Sequence, residues 1–146
     1  MKKIYTPDII ILFIILQILL NFIFPVKIIN YPWTYFGILL IILGQIPNFW
    51  IYFYFRKIKT TTHIDRIPDK LITSGLFKIT RNPNYLGMVI TLLGVAVLLG
   101  SLTAFIFPVV FIILTHFFVI PIEERNLENR FGKRYLNYKN KVRRWI

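Results

Sequence analysis

The chain has 146 residues, of which 56% are apolar and 17% aromatic, and its net charge is +12. A soluble domain of this length has too little interior to bury so much apolar surface, and a disordered chain would contain far less of it. The sequence has no cysteine, which excludes disulfides, a thiolate nucleophile and cysteine-ligated metal centres. We therefore expect one all-α domain, residues 1–146, that is integral to a membrane.

Four apolar segments predict four transmembrane helices, the last two joined as a tight hairpin. The hairpin follows from length, because residues 85–122 are too long for one span and Gly100-Ser101 is a turn signal within them. The first segment is short for a bilayer, but it lacks the small-residue cleavage site of a signal peptide. The predicted spans are residues 9–24, 33–55, about 85–99 and about 102–122.

Polar and small residues inside the spans predict helix–helix contacts. Each of the first two spans carries one polar pair, Gln17 with Asn21 and Gln45 with Asn48. Two glycine pairs at helical spacing, Gly37 with Gly44 and Gly87 with Gly94, offer faces on which two copies of the chain could pack. The oligomeric state therefore stays open.

The positive charge is concentrated on one side of this four-span arrangement. Seventeen of the 18 basic residues fall at the N-terminus, in the connection 56–84 or in the tail 123–146, and only Lys27 lies on the other side. By the positive-inside rule, both termini and the long connection are cytoplasmic. Topology and anionic headgroups thus account for the charge without nucleic acid as a partner. His63 is interpreted as a solvated residue of the connection.

The tail carries apolar residues at helical spacing, with basic residues on the remaining surface. The apolar positions are Leu127, Phe131, Tyr135, Tyr138, Val142 and Trp145. We expect a cytoplasmic amphipathic helix, broken in two at Gly132. It should lie in the headgroup layer or fold back over the connection 56–84.

Two polar motifs stand where the last two predicted spans meet the cytoplasm. Residues 73–87 follow the pattern T-S-G-x-F/Y-x-x-x-R-N/H-P-x-Y-x-G, and residues 123–138 follow E-E-x-x-L-x-x-x-F-G-x-x-Y-x-x-Y. In order and spacing these motifs resemble the integral-membrane methyltransferases that include isoprenylcysteine carboxyl methyltransferase and the phospholipid N-methyltransferases. The resemblance covers about residues 60–146.

The resemblance implies S-adenosylmethionine as methyl donor, bound by the part of the chain from about residue 60 to 146. It assigns cofactor contacts to Leu71, Ile72, Phe77, Asn82, Pro83, Asn84, Tyr85, Gly87 and Glu123. Residue chemistry agrees with this assignment. Arg81 can pair with a carboxylate in a fork geometry, the rings of Phe77 and Tyr85 suit an adenine or a sulfonium, and a carboxylate suits an ammonium or ribose hydroxyls.

The candidate catalytic residues are Arg81, Glu124 and His116, and no metal is expected. His116 is an ionisable residue deep in a predicted span, which makes it a functional candidate, and either it or Glu124 could take a proton from an amine. Each residue also has a structural interpretation. Glu123 and Glu124 could be ordinary interface charges, Arg81 only a positive-inside charge, and His116 only a hydrogen-bonding partner of another helix.

The methyl acceptor is expected to be lipidic, a small hydrophobic molecule or otherwise membrane-partitioned. Prenylcysteine enzymes of the family carry an arginine one turn before the acidic pair, where this chain has Val119, and some members have a histidine where this chain has Asn82. A carboxylate buried beside Val119 would find no cation except protonated His116, which favours a phospholipid amine headgroup. An isoprenylcysteine-like carboxylate and a small thiol are the alternatives. A non-enzymatic membrane protein is the alternative from another class.

Overall fold

The computed structural model describes residues 6–57 and 70–146, so Lys2, Lys3 and His63 lie outside the described residues. The described part is helical and contains no strand, although Lys27 and Ser101 form one isolated antiparallel bridge. Its helices are α1 (Thr6–Ile23), α2 (Phe36–Lys57), α3 (Pro83–Leu99), α4 (Ile106–Leu114), α5 (Ile120–Phe131) and α6 (Lys133–Lys139).

Local sequence signals fix the helix ends close to where the predicted spans placed them. Helix α3 begins at Pro83, whose preset φ and missing N–H suit a first helical turn. It ends at Leu99, and the next residue, Gly100, adopts a left-handed conformation (φ 63°) before the chain turns back at Ser101. Gly132 separates α5 from α6, again with a positive φ of 52°, as predicted.

The fourth apolar segment is less regular than a single helix. It enters α4 through a 3-10 turn and leaves it through a π-helical turn at Thr115–Val119 before continuing as α5. The π turn ends two residues before Pro121, which cannot donate an N–H and whose ring crowds the preceding turn. Because the helix runs on to Phe131, the acidic pair at 123–124 stands inside a helix rather than at the start of a separate tail.

Two helical segments, Trp33–Lys57 and Leu102–Phe131, are long and apolar enough to cross a membrane, whereas the apolar helices α1 and α3 are shorter. Only 17% and 22% of the most apolar stretches of these two segments are buried inside the protein. Their large apolar side chains therefore face outward, as on a surface that a bilayer covers. This surface, with the composition, indicates association with a membrane.

Helices α2 and α3 form the closest helix pair, and glycines face each other across their contact. A Cβ atom added to Gly44 would lie 2.5 Å from Thr91 Oγ1, and one added to Gly87 would lie 2.5 Å from the Gly44 carbonyl oxygen. Gly37 and Gly94 meet in the same way two turns along the helices. The glycine faces considered for pairing two copies are thus occupied within one chain.

Side-chain amides join α1 and α2 to α3. Gln17 of α1 is fully buried, and its Nε2 donates to the carbonyls of Leu92 and Ala104 at 3.1 Å each. Gln45 Nε2 of α2 donates to Thr91 Oγ1, also at 3.1 Å. Both residues confirm the predicted interhelical contacts. The apolar core around these bonds contains Tyr85, Met88, Val89, Leu92, Phe111 and Ile120.

Candidate functional site

A cavity of about 300 Å³ opens between α2, the start of α3 and α5. Its lining combines residues of both sequence motifs with one face of α2. The motif residues in the lining are Phe77, Arg81, Asn82, Pro83, Asn84, Tyr85 and Glu123. The other lining residues are Ile10, Gln45, Asn48, Ile51, Tyr52, Phe55 and Met88.

The two motifs meet directly at the polar end of this cavity. Pro83 starts α3, so Tyr85 lies in the first turn of that helix. From there the Tyr85 hydroxyl donates a hydrogen bond to Glu123 Oε1 on α5 at 2.7 Å. The rings of Phe55 and Phe77 stack with their centroids 6.2 Å apart and their planes 21° apart. This end of the cavity therefore offers the Glu123 carboxylate beside a flat wall made by the Phe55 and Phe77 rings.

Arg81 presents unused hydrogen-bond donors at the cavity wall. Its side chain is only 10% exposed, and its Nη1 lies 3.1 Å from Glu124 Oε1. Even so, neither Nε nor Nη1 has a hydrogen-bond partner among the described residues. Buried donors of a guanidinium are seldom left unpaired, because removing them from water without a partner is costly. The arrangement fits an anionic group of a ligand, such as a carboxylate.

Glu124 is the centre of an ion-pair cluster beside the cavity rather than part of its lining. Its side chain is 7% exposed, and its oxygens lie within 3.4 Å of nitrogens of Arg81, Lys139 and Arg144. Arg144 binds it through two nitrogens, Nε at 3.2 Å and Nη2 at 2.9 Å, in the fork geometry of arginine and carboxylate. Glu124 thus holds the cations that surround the first motif.

The segment after α6 folds back onto the first motif. The backbone N–H of Arg81 donates to the Arg143 carbonyl at 3.0 Å. The Arg144 carbonyl accepts from Thr80 Oγ1 at 3.1 Å and from Asn82 Nδ2 at 2.9 Å. Of the two placements predicted for the tail, folding back over the connection 56–84 is the one observed.

Helix α6 supports the same loop from its buried face. The Tyr138 hydroxyl donates to the Phe77 carbonyl at 2.7 Å, which fixes the turn that carries the Phe77 ring. Tyr135 is 2% exposed, and its burial, with the nearby Glu124 carboxylate, raises its pKa to about 12. The Tyr135 hydroxyl therefore stays protonated at neutral pH. The apolar face predicted for the tail is accordingly turned toward the protein.

His116 contacts the tail rather than the cavity. Its Nδ1 accepts a hydrogen bond from Trp145 Nε1 at 3.0 Å, and the two rings stack with centroids 6.4 Å apart. Arg144 Nη1 lies 3.4 Å from both the Nε2 and the carbonyl oxygen of His116. The expectation that only His116 could supply a cation near Val119 is therefore wrong, because the tail brings a guanidinium to within one turn of it.

Seven of the twelve predicted site residues line the cavity. The five that lie away from its lining are Leu71, Ile72, Gly87, His116 and Glu124. Sequence reasoning missed the face of α2 and the contribution of Arg144. The face of α2 had a signal, since Gln45, Asn48, Tyr52 and Phe55 follow the three- and four-residue spacing of one helix face.

The sequence model of a family described as phospholipid methyltransferase matches residues 32–134. Protein-S-isoprenylcysteine O-methyltransferase B of Arabidopsis thaliana is 34% identical over 120 residues, which cover 73% of this chain and 55% of that protein. Protein-S-isoprenylcysteine O-methyltransferase of Saccharomyces cerevisiae is 34% identical over 147 residues, which cover 89% of this chain and 58% of that protein. An uncharacterized protein of Haemophilus influenzae is 40% identical over 62 residues, which cover 42% of this chain and 98% of that protein. The chain spans little more than half the length of the two named methyltransferases.

Proposed function

The chain belongs to the phospholipid methyltransferase family, and on this premise we propose that it transfers a methyl group from S-adenosylmethionine to a lipidic or membrane-partitioned acceptor. The observation that carries the proposal is Arg81 at the cavity wall, whose buried Nε has no partner among the described residues, while its Nη1 is ion-paired with Glu124. S-adenosylmethionine bears a carboxylate, a group that a guanidinium binds through two parallel hydrogen bonds. Glu123 and the aromatic wall formed by Phe55 and Phe77 suit its other parts.

Each part of the cavity's polar end has a task in this function. Arg81 would hold the carboxylate, Glu123 the ammonium or the ribose hydroxyls, and the Phe55–Phe77 pair the adenine. When bound, the cofactor supplies a methyl group whose bond to sulfur breaks as a bond to the acceptor forms, leaving the electron pair on sulfur. The protein contributes alignment and the exclusion of water, which the apolar and aromatic side chains in the cavity lining favour.

We place the protein in the membrane as one methyltransferase domain with four spans, α1, α2, α3 and the α4–α5 segment. Seventeen of the 18 basic residues then lie on the cytoplasmic side, together with both termini and the polar end of the cavity. The apolar surfaces of α1, α2 and α4 support this placement, since their large side chains are mostly exposed. A lipidic acceptor would reach the cavity from the bilayer.

For the acceptor, a phospholipid amine headgroup is our leading candidate. The cavity-lining residues that are described include one cation, Arg81, and that cation is assigned to the cofactor. A second candidate is the carboxylate of an isoprenylcysteine-like substrate, which the names of the Arabidopsis and yeast relatives favour. Arg144 is already bound to Glu124 through two nitrogens, so a substrate carboxylate would compete with Glu124 for it.

Titration calorimetry of the purified protein in detergent tests the proposal. We expect S-adenosylmethionine and S-adenosylhomocysteine both to bind. Membranes containing the protein, supplied with methyl-labelled S-adenosylmethionine, should then transfer label to the lipid extract. A protein with an intact thermal transition that shows no heat of binding at millimolar cofactor would contradict the methyltransferase function.

A further inference from the structure

Asn48 carries a buried hydrogen-bond acceptor that the fold does not use. Its Nδ2 donates to the Gly44 carbonyl within α2 at 3.2 Å, but its Oδ1 has no partner among the described residues. The neighbouring Gln45 differs, because its amide reaches α3 and bonds Thr91. Asn48 thus departs from the predicted role of joining helices. An unpaired buried carbonyl in a cavity wall indicates that a ligand supplies the donor.

Asn48 lies farther along α3 than Arg81, which precedes that helix. It stands nine residues, roughly 13 Å, before the end of α2 at Lys57. A Cβ atom added to Gly87, one turn into α3, would lie 3.2 Å from its Oδ1. Arg81 and Asn82, by contrast, precede α3. The cavity therefore has a charged part at the start of α3 and an uncharged part within the helices, lined by Gln45 and Asn48, where Asn48 Oδ1 is a buried acceptor without a partner among the described residues.

We propose that Asn48 selects the methyl acceptor, accepting a hydrogen bond through Oδ1 from an N–H of an amine. The inference rests on the proposed methyl transfer and deepens it. A carbonyl oxygen can only accept hydrogen bonds, so it pairs with an amine and repels a carboxylate or a thiolate. An amine held by one N–H still has its lone pair free to attack.

The chemistry balances with this assignment. The headgroup ammonium first gives one proton to water. The amine lone pair then forms the new N–C bond as the C–S bond breaks, and the sulfonium becomes a neutral thioether. The methylated nitrogen is then an ammonium, which gives its proton to water. Asn48 neither gains nor loses a proton, so it is a specificity residue that orients the nucleophile.

Two substitutions that remove Oδ1, Asn48→Leu and the smaller Asn48→Ala, test the proposal. Asn21→Leu is the matched control, because Asn21 Oδ1 is also buried and unpaired in the described part of the chain, but Asn21 is not in the cavity lining. Each variant in lipid nanodiscs is assayed for S-adenosylhomocysteine affinity. Initial rates are then measured with phosphatidylethanolamine and with N-acetyl-S-farnesylcysteine.

We expect the Asn48 variants to bind S-adenosylhomocysteine within about twofold of wild type and to lose about tenfold in kcat/KM for phosphatidylethanolamine. Their rate with the farnesylcysteine carboxylate should not fall, and Asn21→Leu should leave the ratio of the two rates unchanged. The proposal is overturned if cofactor affinity falls along with turnover, if the ratio is unchanged, or if wild type prefers the farnesylcysteine. Turnover of neither acceptor by a protein that binds S-adenosylhomocysteine also overturns it. Failure of wild type to bind cofactor would instead refute the proposed function itself.

Discussion

Arg81 is ion-paired with Glu124 and also has hydrogen-bond donors that no described residue uses. Comparing a ligand that has a carboxylate with one that lacks it distinguishes a role in ligand binding from a role in the ion pair. Arg81→Gln removes the charge that we assign to the cofactor carboxylate. A hydrogen bond between charged groups is worth about 1.5–3 kcal/mol, so the affinity for S-adenosylhomocysteine should fall about ten- to a hundredfold. Binding of 5′-methylthioadenosine, which lacks the amino-acid part, should be unchanged. Calorimetry with both ligands makes the comparison.

Lys78→Gln is the control for this change, because Lys78 is an exposed residue of the same loop and loses the same charge. It should bind both ligands as wild type does. If Arg81→Gln lowers the affinity for both ligands equally and also lowers the thermal midpoint, then Arg81 stabilises the loop and does not bind the ligand carboxylate.

The Tyr85–Glu123 hydrogen bond links the two sequence motifs, so its members should act as a unit. Tyr85→Phe keeps the buried ring and removes only the donor, which should weaken cofactor binding by up to about tenfold. Glu123→Gln should weaken it more, because the carboxylate itself is assigned to the ligand. The double variant should lose less than the two single losses combined. Full additivity in calorimetry would show that the two residues act independently.

At the scale of the elements, the tail holds the first motif in place. Arg144 takes both oxygens of Glu124, and without it Glu124 would pair more fully with Arg81 and draw that guanidinium from the cavity wall. We expect Arg144→Gln to lower both the thermal midpoint and the affinity for S-adenosylhomocysteine. Lys141→Gln, an exposed change of equal charge in the same segment, should do neither. Equal behaviour of the two variants would refute the positioning role of Arg144.

The helices were predictable from the sequence because their boundaries depend on local residues. Pro83, Gly100 and Gly132 each determine a backbone conformation without help from distant parts of the chain. The π turn before Pro121 had no such signal, since the same proline also tolerates a regular helix start.

The site was predictable only where a motif was contiguous in sequence. Asn48 enters the cavity because glycines bring α2 close to α3, and Arg144 reaches Glu124 because the chain reverses after α6. Both contacts depend on tertiary packing between residues far apart along the chain. Composition shows that such polar residues are present, but it does not show which neighbours they meet.

At the scale of the whole molecule, the loops lie at two ends of the helices, and these ends differ in charge. The backbone N–H groups of Ile28 and Ile29 donate to the Gly100 carbonyl, at 2.9 and 3.1 Å, so the α1–α2 connection and the α3–α4 turn meet at one end. The single basic residue there, Lys27, donates to the Leu99 carbonyl at the C-terminus of α3. The opposite end gathers Lys57, Arg81 and the basic tail.

This separation predicts the orientation in the membrane. Each lysine or arginine near a span end favours the cytoplasmic side, and the imbalance of seventeen to one leaves a single favoured topology. Reporter fusions after Ile29 and after Ser101 should therefore read as external, and fusions after Lys70 and Ile146 as cytoplasmic. The pair at Ile29 and Ser101 is the sharper test, because the backbone contacts place both at one end of the molecule and they must report the same side. Opposite readings at these two positions would contradict the hairpin, and cytoplasmic readings at both would show that the protein is inserted in the reverse orientation.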